Sequence, residues 1–139
     1  MPRPCDVGVG TAVLILNEHN EILLGQRKGA HRAGFWCAPG GWLDRADTQV
    51  VEAAIREVHE ETGVKVVTAY RLLWTTEDHP ELQVRTVTLY YVARKWCGSP
   101  RVMEPDKCEA WSWFASDDLP SPLFPGLAEA LSLLAWNVA

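Results

Sequence analysis

The 139-residue chain is 47% hydrophobic and 22% charged, the balance of a soluble globular protein large enough for its own core, and it reads as one domain over residues 1–139. A formal charge of −5 argues against a binder of nucleic-acid duplexes, because phosphate contacts need a basic surface. It leaves small anionic substrates open, provided a metal ion carries the positive charge.

In chain order, Val7 to Leu16 ends in an apolar run that suits a buried strand, with Gly8 and Gly10 marking close backbone packing. Asn17-Glu18-His19-Asn20 is turn chemistry, and Glu21 to Arg27 reads as the return strand of a hairpin. A basic loop follows, with Arg27, Lys28, His31 and Arg32. It is either a solvated loop or an anion contact. Pro39-Gly40-Gly41 reads as a tight turn where backbone can approach a ligand without Cβ obstruction. Asp47 or Thr48 is expected to cap a helix running to about Thr62, stopped by Gly63 in the left-handed conformation.

Val64 to Thr76 and Leu82 to Ala93 carry strand patterns on either side of a break at His79-Pro80. Residues 96–100 turn the chain, 103–109 form an acidic connector, and Trp111 to Phe114 is a short strand. Pro125 suits the first turn of a closing helix whose packing stripe is Leu127, Leu131, Leu134, Ala128 and Ala135. A mixed sheet between helices is the simplest architecture for this order. No apolar run is long enough to span a bilayer, and Met1 to Cys5 has no apolar stretch like that of a signal peptide. Cys5, Cys37, Cys97 and Cys108 lack zinc-ligand spacing and read as free thiols in a reducing cytoplasm.

The central helix carries the chemistry. Glu57, Glu60 and Glu61 stand at i, i+3 and i+4, within an arc of roughly 100°. Val51, Ile55 and Val58 lie on another side and give the helix a face to bury. Like charges at this spacing repel, so the cluster is either a solvated acidic face or an oxygen-ligand set for a divalent cation.

Gly40-Gly41 followed by Arg56-Glu57-Val58-His59-Glu60-Glu61-Thr62-Gly63-Val64 resembles the Nudix box. The second half of the box matches at every specified position. The first half departs: Asp47 stands where the box has its first Glu, and eight residues rather than seven separate it from Arg56. Leu23 to Gly29, Met103 to Trp113 and Leu119 to Phe124 extend the likeness to MutT-like Nudix hydrolases of the nucleotide pool.

The resemblance implies an α/β (α+β) fold of the Nudix type, an α/β/α sandwich with a mixed central sheet. It implies Mg²⁺- or Mn²⁺-dependent hydrolysis of a standard or oxidised (d)NTP to monophosphate and pyrophosphate. The substrate is then a small nucleotide, with no nucleic-acid polymer and no membrane as partner, and the chain pairs as a homodimer. The alternatives are another diphosphate compound (nucleotide sugar, dinucleoside polyphosphate or isoprenyl diphosphate) or a non-catalytic nucleotide-binding domain. By resemblance, Glu57, Glu60, Glu61 and the Gly40 carbonyl ligate metal, with Glu109 as a further ligand. Arg56 orients a carboxylate, and Glu60 is the general base, with Glu109 its rival. Arg27 matches a substrate contact, while Trp36, Cys37 and Phe124 match walls of a base pocket. A thiol at Cys37 reads a base edge poorly, so altered base preference is expected. Trp36 and Phe124 could equally be packing residues, and Glu109 a solvated strand-edge one.

Overall fold

Side-chain parity along three buried strands builds this fold. The computed structural model describes residues 6–136 and contains strands β1 (Val7–Ile15), β2 (Ile22–Arg27), β3 (Trp36–Cys37), β4 (Lys65–His79), β5 (Val84–Cys97) and β6 (Cys108–Phe114). Its helices are α1 (Val50–Thr62) and α2 (Leu127–Ser132), and a 3-10 turn at Pro80–Leu82 joins β4 to β5. Successive strand residues face opposite sides. Accordingly Val13 and Ile15 of β1, Leu23 of β2, and Tyr91 and Ala93 of β5 pack beneath Ala54 and Val58 of α1. Ala12, Leu14, Leu16, Ile22, Leu24, Tyr90 and Val92 pack on the other side against Leu127, Ala130 and Leu131 of α2. The strands therefore form the middle of an α/β/α sandwich, and their lack of clean polar alternation follows from burial on both faces.

That middle layer consists of two three-stranded sheets, β1-β5-β4 and β3-β2-β6. The first is mixed, with β1 parallel and β4 antiparallel to β5, and the second is antiparallel. The expected β1–β2 hairpin is corrected here: the two strands share only a bridge at Leu16 and Ile22. Both are apolar on two faces, so each gains more by entering the centre of its own sheet than by pairing as a half-exposed ribbon.

The central helix starts at Val50, and neither Asp47 nor Thr48 caps it; Gln49 holds the N-cap position without a side-chain hydrogen bond. Gly63 ends it at φ 78°, the left-handed stop. Near the chain end Ala130 is buried while Ala128 and Ala135 are exposed, so the closing segment packs through Leu127, Ala130 and Leu131 of α2 and, past its end, Leu134 as expected. The helix is too short to carry the longer stripe expected from sequence. Strands β4 and β5 outlast their expected ends, reaching His79 and Cys97. The last stretch of β4 points Thr75, Glu77 and His79 inward: Thr75 and Thr88 of β5 both donate to the Glu77 carboxylate, and His79 Nε2 meets the Thr86 hydroxyl of β5. Cys37, Cys97 and Cys108 are free thiols, and Cys5 lies outside the described residues. Among the described residues no helix is long and apolar enough to cross a membrane.

Candidate active site

A pocket of about 760 Å³ opens between the carboxylate face of α1, the Gly40-Gly41 segment and the inner ends of β2, β5 and β6. Glu57 and Glu61, one helical turn apart, line it, and Glu104 joins them from the connector before β6. Burial lifts the Glu57 carboxyl above its ordinary range, and the nearby charge of Glu60 adds to this against the pull of Arg56. Glu61 is pushed up to about 8, first by burial and then by Glu57, with the Gly40 N–H opposing and Glu104 reinforcing. Hard oxygen donors converging in a desolvated wall, each raising its neighbour's proton affinity, fit a divalent cation of the Mg²⁺ type.

The raised pKa of Glu61 has a consequence for stability. Between the ordinary carboxylate range and about 8, the folded metal-free protein holds a proton that the unfolded chain has released. This contribution to stability is therefore present at lower pH and lost as pH rises through about 8. With a chelator present, the urea midpoint is expected to be lower at about pH 9 than at about pH 6, and excess Mg²⁺ should shrink the difference. A Glu61→Gln variant that keeps the full difference would assign it to another group.

Arg56 holds the acidic side chains in place. Its Nη1 donates to Asp47 Oδ1 at 2.5 Å, its Nη2 to Glu57 Oε1 at 3.1 Å, and its Nε lies 3.5 Å from Glu60 Oε1. Asp47 also accepts the Asp44 N–H at 2.7 Å, so the extra loop residue still closes on Arg56 with a side chain one methylene shorter than glutamate. Glu60, half exposed at 51%, turns to Arg56 and is not among the pocket-lining residues.

The Pro39-Gly40-Gly41 segment is laid along β1 and is not a tight turn. Val13 N–H donates to the Pro39 carbonyl at 2.8 Å and Thr11 N–H to the Gly41 carbonyl at 2.7 Å. Neither glycine has a positive φ. Close approach is what demands them. An added Cβ at Gly40 would meet the Thr11 carbonyl oxygen, and one at Gly41 would lie 2.5 Å from the Glu57 carboxylate.

The remaining expected residues divide. Arg27, Cys37 and Phe124 line the same pocket as Glu57 and Glu61. The Arg27 guanidinium sits 4.9 Å from the Phe124 ring centroid. Burial holds Cys37 as a neutral thiol, pushed up to about 12. Trp36 lies outside the pocket wall, edge-to-face with Phe114 at 5.1 Å and packed on the α2-side core. The Trp36 ring is taken up by these core contacts instead of the pocket. Glu109 is also outside, with its carboxylate 3.9 Å from Lys28 Nζ.

Sequence reasoning passed over Glu104, Tyr90 and His79, all on the wall. Glu104 sat in the same acidic connector as Glu109, but nothing in the spacing indicates which acid turns inward. Tyr90 shares the parity of Thr86 and Thr88 on β5, whereas His79 stands beside a proline that reads as a strand break.

A NUDIX domain family model matches residues 6–136. An 8-oxo-dGTP diphosphatase of Proteus vulgaris is 33% identical over 87 residues, 61% of this chain and 74% of that one. An RNA pyrophosphohydrolase of Erythrobacter litoralis is 28% identical over 130 residues, 81% of this chain and 79% of that one. Among solved structures, a MutT NUDIX hydrolase from Burkholderia pseudomallei superposes with a TM-score of 0.87 at 37% identity, covering 93% of this chain and 98% of that one.

Proposed function

The chain belongs to the NUDIX domain family, and from that premise we propose that it hydrolyses a nucleoside triphosphate to nucleoside monophosphate and pyrophosphate with Mg²⁺. It is a hydrolase of phosphoric anhydride bonds. The observation that carries the finer reading is that one pocket holds both the Glu57-Glu61-Glu104 wall and Arg27 over Phe124. Carboxylates suit the ion that accompanies a polyphosphate, and a cation over an aromatic face suits a phosphorylated nucleoside.

When bound, Mg²⁺ would supply the positive charge that the phosphate oxygens and the attacking water require. Glu57, Glu61 and the Gly40 carbonyl would hold it, and Glu60 would join them on leaving Arg56. Arg56 keeps Glu57 and Glu60 oriented, and Arg27 would bind a phosphate oxygen. Cys37 and Phe124 would face the base, and a neutral thiol there favours relaxed base preference. For the general base, Glu60 must first leave Arg56, whereas Glu104 already lies on the wall; Glu109 would have to release Lys28. Mn²⁺ as a substitute ion, a cytoplasmic location and a homodimer belong to the same reading. Three exposed apolar side chains of β4, Val67, Tyr70 and Trp74, support the last of these.

A substrate panel tests the proposal. It comprises standard and oxidised (d)NTPs, nucleotide sugars, dinucleoside polyphosphates, isoprenyl diphosphates and a 5′-triphosphate RNA, with products resolved and solution mass measured alongside. Monophosphate plus pyrophosphate from a (d)NTP is the expected result, lowered in Glu60→Gln or Glu104→Gln according to which carries the proton. Release of neither phosphate nor pyrophosphate from any compound would remove the catalytic reading, and a monomeric mass would remove the dimer.

A further inference from the structure

Another cluster of metal-ligating groups sits at the pocket wall away from α1. His31, His79 and Glu81 each offer one ligand atom, and these atoms lie within 4.8 Å of one another. Among the described residues they are the one group of His, Cys, Asp and Glu side chains gathered this closely. Among the described residues, no three carboxylates of α1 come this close to one another.

The three residues reach the cluster from different places. His31 comes from the loop after β2, His79 from the last residue of β4 and Glu81 from the 3-10 turn. His31 Nδ1 is 3.0 Å from Glu81 Oε1. Burial and the positive charge of Arg27 lower the His31 pKa.

His79 supplies the independent observation. It is only 3% exposed; its Nε2 lies 3.2 Å from Thr86 Oγ1, while its Nδ1 is buried without any hydrogen-bond partner. Either tautomer leaves Nδ1 unsatisfied, and buried polar atoms of this kind are rare. If Nε2–H donates to Thr86, the Nδ1 lone pair is free. That is the tautomer of a metal-bound histidine whose second nitrogen is fixed by an outer partner.

We propose that His31, His79 and Glu81 form a transition-metal site of the Zn²⁺ class, separate from the carboxylate site on α1. Two imidazoles and one carboxylate match the ligand preference of Zn²⁺ and disfavour Mg²⁺, which prefers an oxygen shell. Tetrahedral Zn²⁺ would bring the ligand atoms to about 3.4 Å from one another, so the His31–Glu81 pair is nearly at its final spacing. Arg27 and Arg32, both facing Phe124, add positive charge nearby. One carboxylate leaves the bound ion with a net positive charge, so the fourth position would take water or an anionic oxygen.

The test is a calorimetric Zn²⁺ titration of the chelator-stripped full chain, with Mg²⁺ in large excess to occupy the α1 carboxylates. About one equivalent of Zn²⁺ is expected, with affinity at least tenfold lower in both His31→Ala and Glu81→Gln, the order of loss for a disrupted metal shell. Co²⁺ in place of Zn²⁺ should give tetrahedral d–d absorption that both variants lose. Both side chains are partly exposed, and matching thermal melts establish that the variants fold. No Zn²⁺ binding above the Mg²⁺ background would overturn the proposal. So would binding unchanged in the variants, which would place the ion on α1 or the pocket thiols. Neither outcome bears on nucleotide hydrolysis.

Discussion

Glu57→Gln is expected to lower kcat by about 10³-fold, in the range set by removing a charged group that acts on the reacting water or its ion. The substitution keeps the shape of the side chain, so the packing against Gly41 persists and the fold should be retained. What disappears is the anionic oxygen. An amide cannot replace it as a ligand for a hard cation, and it weakens the charge-assisted bond that Arg56 Nη2 makes at 3.1 Å. A 10³-fold loss is about 4 kcal/mol of transition-state stabilisation, far above the fraction of a kcal/mol that an exposed ion pair contributes. Steady-state rates across a Mg²⁺ titration check this on the best substrate from the panel. Partial recovery at high Mg²⁺ assigns Glu57 to holding the ion, and a loss insensitive to Mg²⁺ assigns it to proton transfer. Wild-type turnover in the variant would refute the placement of Glu57 in the machinery.

Gly40→Ala should be the most damaging small substitution for stability, at about 3 kcal/mol, the upper part of the usual range for overpacking. The added methyl would run into the Thr11 carbonyl oxygen and come within 2.7 Å of Ala12 Cα, both backbone atoms of β1. No rotamer change relieves such a contact. The segment would have to lift away, endangering the bonds from Thr11 and Val13 to Gly41 and Pro39. Gly41→Ala makes the contrast, because its methyl meets the side chain of Glu57, which can swing aside. It should cost less stability and more activity. Urea denaturation of the pair reads the difference directly, and equal midpoints for Gly40→Ala and wild type would show that close approach is not what requires glycine there.

The two variants also mark where sequence reading succeeds. Val51, Ile55 and Val58 against Glu57, Glu60 and Glu61 is a helical periodicity, and Gly63 is a local stop, so α1 could be read from neighbours within two turns. Gly40-Gly41 was legible as a place of close backbone approach but not as a strand-like segment. What approaches it is β1, some thirty residues earlier in the chain. The β1–β2 hairpin failed for the same reason: turn chemistry at Asn17 to Asn20 reports a reversal and says nothing about which sheet each strand enters.

Local chemistry thus established the family, the acidic helix, its arginine and the glycines beside it, since these depend on residue type at short fixed spacing. Long-range packing settled the rest. It turned Glu104 inward and left Glu109 beside Lys28, and it sent Trp36 into the core while Cys37 lined the pocket. It also gathered His31, His79 and Glu81 from three separate segments. Which of two neighbouring side chains faces a pocket depends on strand register, and register is fixed by contacts between residues far apart in the chain, which no short spacing records.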